Sequence, residues 1–257
     1  MFFTCSKISL SQLKASKMHF MLIAFQLVLG PGIYFLVRPH SEIAAQGLMM
    51  CVMSPVATAS PVVGALLGAD VALMTSYVFI SNIAVAVVIP PLMSFLNHSV
   101  EVSYLATMWH VAKSSLSILI IPLILSWLSG KYTPKVSEWT RNHSMVSFYL
   151  WGSCMMILIG GTIHSMALNP AQDRMQEIFM IIGALVIALV LFPLGAWFGT
   201  RCGDKVAGRQ MMAQKNTGIG LWLTMQFLDP LCTVAPAAYI IWQNLINSYE
   251  IFKGTKH

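Results

Sequence analysis

Apolar stretches of about twenty residues recur along the whole chain, and no other feature constrains its fold as tightly. They run from His19 to Val37, Ile43 to Leu67, Val71 to Leu96, Tyr104 to Leu128, Val146 to Leu168, Ile178 to Phe198, Val206 to Leu228 and Cys232 to Ile251. A helix rising 1.5 Å per residue needs about twenty residues to cross roughly 30 Å of hydrocarbon. The composition agrees: 57% of the 257 residues are hydrophobic, 9% are charged and the mean hydropathy is +0.73, where a soluble domain carries about a quarter charged residues. The sequence therefore predicts an all-α membrane protein with about eight transmembrane spans in a lipid bilayer. Low-complexity linkers and a soluble domain are both missing from the sequence; the polar stretches Ser129 to Ser144 and Asn169 to Glu177 read as inter-helix loops.

The net charge of +6 does not point to nucleic acid, because the basic residues follow alternate loops instead of gathering in one patch. Lys7, Lys14 and Lys17 fall on one side, joined by Lys131, Lys135 and Arg141, then Arg201, Lys205 and Arg209, then Lys253 and Lys256; the other side receives Arg38 and Arg174. This asymmetry predicts that both termini face the cytoplasm in a plasma membrane, a bacterial inner membrane. The five cysteines, Cys5, Cys51, Cys154, Cys202 and Cys232, are scattered without a metal-like spacing and read as packing residues. Met1 to Cys5 followed by a basic amphipathic segment does not resemble a signal peptide; it reads as the exit of a missing upstream helix.

Two of the stretches carry short polar interruptions, Ser54 to Pro61 and Ala213 to Gly218, about 155 residues apart. Backbone that leaves the helix at membrane depth exposes N–H and C=O groups that hydrocarbon cannot satisfy, so it persists only where it lines a cavity or holds a ligand. Pro55 and Pro61 bracket Thr58 and Ser60, which prevents a continuous helix there. Asn216, Thr217, Gly218 and Gly220 place small and polar residues where a second backbone can approach. The other prolines, Pro31, Pro90, Pro91, Pro122, Pro193 and Pro236, read as kinks. Two broken helices that cross would offer positive half-helix N-termini to an anion at the midplane, a carboxylate or sulfonate. Paired breaks of this kind mark the binding site of a secondary transporter.

At these residues the chain resembles the bile acid:sodium symporter family. The family's Cys-Pro-Gly-Gly-Thr-Ala-Ser-Asn break corresponds to Ser54 through Pro61, and its Glu-x-Gly-Met-Gln-Asn-(Ser/Thr)-Gly break to Met211 through Gly218. Gln26 to Pro31, Ala69 to Leu73 and Val234 to Ser248 are similar to three further family segments. The resemblance implies an inverted-repeat design, with core helices in residues 19–100 and 170–252, panel helices in 101–169, and cytoplasmic segments at 1–18 and 253–257. It also implies that one helix and most of a second precede the chain in complete members. Thr58, Ala59, Ser60, Asn216, Thr217 and Asn244 then become the substrate-binding candidates, and Gln26, Ser60, Gln214 and Lys215 the ion or charge site; Trp242 and Gln243 share the last helix with Asn244.

Departures from the family matter for coupling. Positions that hold sodium in the family are here Met211, Lys215, Pro61, Met74 and Val78, leaving Gln26 and Ser60. Hard cations require oxygen ligands, which thioether and isopropyl groups cannot supply. The resemblance and these losses together predict transport of a bile-acid-like or other small organic anion without the usual sodium coupling, with Lys215 as a fixed cation or a proton carrier. Two alternatives stand beside this: a non-transporting membrane regulator of the same fold, and an inactive fragment lacking its first helices. Enzyme chemistry is not expected, since His110 and His164 have no serine or acidic partner at catalytic spacing. No cofactor motif is present, and Lys113 inside an apolar run reads as an interfacial or structural lysine.

Overall fold

Short polar side chains set where the helices begin. In the computed structural model of the chain, which describes residues 13–96, 104–143 and 174–254 with scattered positions between 146 and 160, the helices are α1 (Lys17–Val37), α2 (Glu42–Met53), α3 (Ser60–Leu66), α4 (Val71–Leu96), α5 (Tyr104–Tyr132), α6 (Pro134–Asn142), α7 (Arg174–Cys202), α8 (Lys205–Ala213), α9 (Thr217–Phe227) and α10 (Val234–Gly254). Ser41 Oγ accepts from the Ala44 amide, Asp70 Oδ1 from those of Ala72 and Leu73, and Asp204 Oδ1 from that of Ala207. Each such cap satisfies an amide that the first turn of a helix leaves without an internal partner.

The protein is all-helical among the described residues, and three helices are long and apolar enough to cross a membrane: α1, α4 and α7. The apolar stretches read from sequence coincide with these helices, with α5 and α10, and with the pairs α2/α3 and α8/α9. Most of the stretch from Val146 to Leu168, with His164, Cys5 and Cys154, lies outside the described residues, as does the side chain of His110. Pro31, Pro90, Pro91, Pro122 and Pro193 lie inside helices as expected. Pro236 does not: it occupies the first turn of α10, where its missing N–H removes no helical bond. Cys51 and Cys232 are buried, whereas Cys202 is exposed and does not pack.

The core gathers α1, α2, α4, α7, α8 and α10 around buried Leu22, Leu48, Tyr77, Leu191, Met211 and Tyr239. Helices α7 and α8 form a hairpin whose backbones nearly touch. A Cβ on Gly195 or on Gly208 would lie 2.5 Å from the other's carbonyl oxygen, so only glycine permits this approach. Outward faces carry exposed Ile182, Val186, Leu189 and Leu245, the pattern of a surface that meets lipid rather than water.

Candidate functional site

Both interruptions are real breaks in the helices. Helix α2 stops at Met53 because Ser54 takes an extended conformation, φ −55° and ψ 140°, before Pro55, a residue type that disfavours a helical predecessor and has no amide to donate. Ser54 Oγ folds back onto the Met50 carbonyl at 2.7 Å. Helix α3 restarts at Ser60 with Pro61 in its first turn, the one place in a helix that tolerates proline. In the second break Gln214, Lys215 and Asn216 leave the helix between α8 and α9, and Asn216 Oδ1 caps α9 by accepting from the Ile219 amide at 3.4 Å.

The two breaks meet and pair. Val56 and Lys215 face each other as an antiparallel bridge. The Ala57 amide donates to the Gln214 carbonyl at 2.8 Å, and the Asn216 amide donates to the Pro55 carbonyl at 2.7 Å. The unwound backbone of each break thus satisfies the other, which answers the demand that hydrocarbon makes on any non-helical segment. Close approach depends on Gly220, where a Cβ would collide with Ser54 Oγ.

Side chains hold this two-stranded ribbon from either flank. On α4, Ser81 Oγ accepts from the Val56 amide at 3.1 Å. On α10, Gln243 uses both ends of its amide: Oε1 accepts from the Lys215 N–H at 2.9 Å, and Nε2 donates to the Lys215 carbonyl at 3.2 Å. The next residues match as well, since Asn82 Nδ2 donates to the Val78 carbonyl at 2.7 Å and Asn244 Nδ2 to the Ile240 carbonyl at 2.6 Å. Below the ribbon, Tyr239 donates its hydroxyl to the Ala213 carbonyl at 2.7 Å.

Lys215 is the only Asp, Glu, Lys or Arg among the described residues that is buried, at 1% exposure. Its ammonium donates to Gln26 Oε1 at 2.9 Å, while Gln26 Nε2 donates to the Met53 and Ser54 carbonyls at 3.2 Å each. Gln26 thereby joins the cation to the open C-terminal end of α2, where carbonyl dipoles favour positive charge. Asp204 and Asp229 are engaged elsewhere: Asp204 caps α8 and accepts from the Asp70 amide, and Asp229 accepts from the Leu231 amide. Within the described residues the ion pairs are Arg38–Glu42 and Arg209–Glu250, so no carboxylate compensates this lysine.

The other candidates fall into two groups. Thr58, Ala59 and Asn216 are half-buried at the edge of the crossing, with Gly218 exposed beside them, so an approaching solute can reach them. Ser60 and Gln214 point inward at 0% and 2% exposure, with Ser60 Oγ and Gln214 Oε1 unpartnered; Thr217 is 6% exposed. Asn244 turns back on its own helix, and Trp242 donates to the Ile181 carbonyl at 3.1 Å, leaving Gln243 as the α10 residue that grips the ribbon. Gln243 lies in the segment singled out by the family resemblance, whereas Ser81 carries no sequence signal that separates it from other polar residues on apolar helices. Lys113 is exposed on α5.

The residues at the family's sodium positions do not fit that ion. Met74, Val78 and Met211 are each fully buried in one apolar cluster, and the ammonium of Lys215 occupies the acceptor that Gln26 would offer. Thioethers and an isopropyl group leave a hard cation without enough oxygen ligands.

Broken helices that cross and pair their backbones, flanked by polar side chains inside an apolar helical core, define a membrane transporter of the discontinuous-helix class. The sodium bile acid symporter family matches residues 7–169, and the chain belongs to that family. It is accordingly a multi-pass membrane protein of a transporter family whose members carry small molecules. A search among curated proteins found no relative of the chain.

Proposed function

We propose that the chain carries a small organic anion, a carboxylate or sulfonate, across the membrane by alternating access, with Lys215 as a resident cation where relatives would hold sodium. The observation that carries this reading is a buried ammonium with one hydrogen bond, to Gln26, and no carboxylate partner. An uncompensated buried charge is costly enough that it calls for a counter-charge or gives up its proton. An anion at the neighbouring edge formed by Thr58, Ala59 and Asn216 would supply the counter-charge, with the amides of the α9 N-terminus adding positive potential.

The matched grips of Ser81 on α4 and Gln243 on α10, each followed by an asparagine that bonds back to its own helix, support an inverted repeat relating α1–α4 to α7–α10. In this reading about eight spans complete the fold, the panel lies in residues 101–169, and both termini face the cytoplasm of a bacterial inner membrane. The filled sodium positions also favour a second reading, a membrane regulator of the same fold that moves nothing.

Uptake into proteoliposomes separates the two. Labelled carboxylates and sulfonates offered in sodium or in potassium medium should give equal uptake of at least one anion, and Lys215→Met should abolish it. Uptake that requires sodium, or persists in Lys215→Met, rules out the resident cation; no uptake of any anion favours the regulator.

A further inference from the structure

Beyond the crossing, the interface between α8 and α10 holds polar side chains at depths where lipid-facing proteins rarely place them. Gln243, Asn247 and Glu250 follow one another at helical spacing on α10, facing Gln210 on α8 and Gln214 just past its end. Gln210 and Asn247 are fully buried, Gln214 is 2% exposed and Gln243 is 5% exposed. Gln210 Nε2 donates to Glu250 Oε2 at 3.1 Å, and Arg209 pairs with the same carboxylate. At the other end Gln243 holds the backbone N–H and C=O of Lys215, next to Gln214, while the ammonium itself donates to Gln26. Between these ends, Gln210 Oε1, Gln214 Oε1 and both side-chain atoms of Asn247 have no protein partner.

Orphaned polar atoms gathered in one seam require an explanation, because each costs about 1–3 kcal/mol when dry. Internal water is the ordinary remedy, one molecule serving about three such groups. The seam also reaches the protein surface: Arg209 and Glu250 stand in the wall of a cavity of about 400 Å³ shared with Leu189, Phe192, Trp242, Leu245 and Tyr249.

We propose that the α8–α10 seam holds a chain of internal waters leading from Glu250 to the crossing, and that through it Lys215 exchanges its proton with the solution at the Glu250 end. This deepens the resident-cation reading and rests on it, by adding a route for charge to leave. In the step, an Nζ–H bond breaks and the proton passes to water, hops along waters held by Gln214, Asn247 and Gln210, and reaches the Glu250 carboxylate and then bulk solvent. The amine is left neutral. The Arg209–Glu250 ion pair sits at the mouth and sets how readily the carboxylate accepts the proton. Other ionisable groups on the elements around the ribbon are Lys17, His19 and Tyr34 on α1, Glu42 and Cys51 on α2, Tyr77 on α4, Lys205 on α8, and Tyr239, Tyr249 and Lys253 on α10; α7 carries such groups only near its ends.

The test uses whole protein labelled with ¹⁵N-lysine in lipid nanodiscs, with no organic anion added. Lys215 is assigned by the signal that disappears in Lys215→Met, and exchange of its Nζ protons with solvent deuterium is followed by NMR. Asn247→Leu should slow that exchange by roughly tenfold or more, while Asn82→Leu, which removes a buried amide from the other flank, should leave it unchanged. Gln210→Met gives the same reading should Asn247→Leu fail to fold. Equal rates in the seam variants and the wild type, equal slowing in Asn82→Leu, or no exchange in the wild type would overturn the route. Because no transported solute is present, failure of anion uptake would remove the transport reading without deciding this one.

Discussion

Gln243 shows how much one side chain can decide in a membrane interior. Its amide satisfies the N–H and the C=O of Lys215 together, and Gln243→Leu would strand both where neither lipid nor packed core offers a partner. The expected loss is about 2–6 kcal/mol, given about 1–3 kcal/mol for each unsatisfied buried group, seen as a lowered melting temperature and lost uptake. Outside the spans, Glu42 makes a smaller contribution that depends on pH. The Tyr34 hydroxyl, with help from Arg38 Nε at 2.8 Å and Gln46 Nε2 at 3.3 Å, holds the Glu42 carboxyl below its ordinary range. A carboxyl lowered on folding stabilises the fold above its unfolded pKa and loses that contribution as pH falls through the folded value. Melting temperature should therefore fall less steeply on acidification in Glu42→Gln than in the wild type, with a small difference because the pair is partly exposed. An identical acid response in the two proteins would contradict this.

At the scale of elements, the breaks and the α7–α8 hairpin depend on different devices. Two prolines and a run of short side chains mark the first break, so it is legible in the sequence. The second has no proline; what marks it is Asn216 as a cap and Gly220 facing Ser54. The hairpin depends on bare backbone at Gly195, Gly199 and Gly208. Gly208→Ala should push α7 and α8 apart at a cost of about 1–3 kcal/mol, the usual range for overpacking. Circular dichroism melts of the purified variant would register this as a lowered transition with helix content retained at low temperature; an unchanged melt would mean that the hairpin can open freely.

For the whole molecule, the distribution of lysine and arginine predicts which way the core faces. Cys202 is exposed at the C-terminal end of α7, beside Arg201 and near Lys205. In a variant whose other cysteines are replaced by serine, a membrane-impermeant maleimide should label Cys202 in inside-out vesicles and spare it in intact cells. The reverse pattern would invert the proposed topology and move the Glu250 end of the seam to the outer face.

The positions of the helices, the presence of two breaks and the oddity of Lys215 were decided by local chemistry: apolar run length, proline geometry and the cost of charge in hydrocarbon are properties of short segments. The family resemblance, not such rules, named Ser60 and Gln214 among the candidates. What only the tertiary structure decided is which groups satisfy the freed backbone. Pairing of Val56 with Lys215, the grips of Ser81 and Gln243, and the bond from Lys215 to Gln26 join segments far apart in the chain. A glutamine on a greasy helix looks the same in sequence whether it holds a ribbon or faces water, because its role is fixed by the partner that folding brings to it.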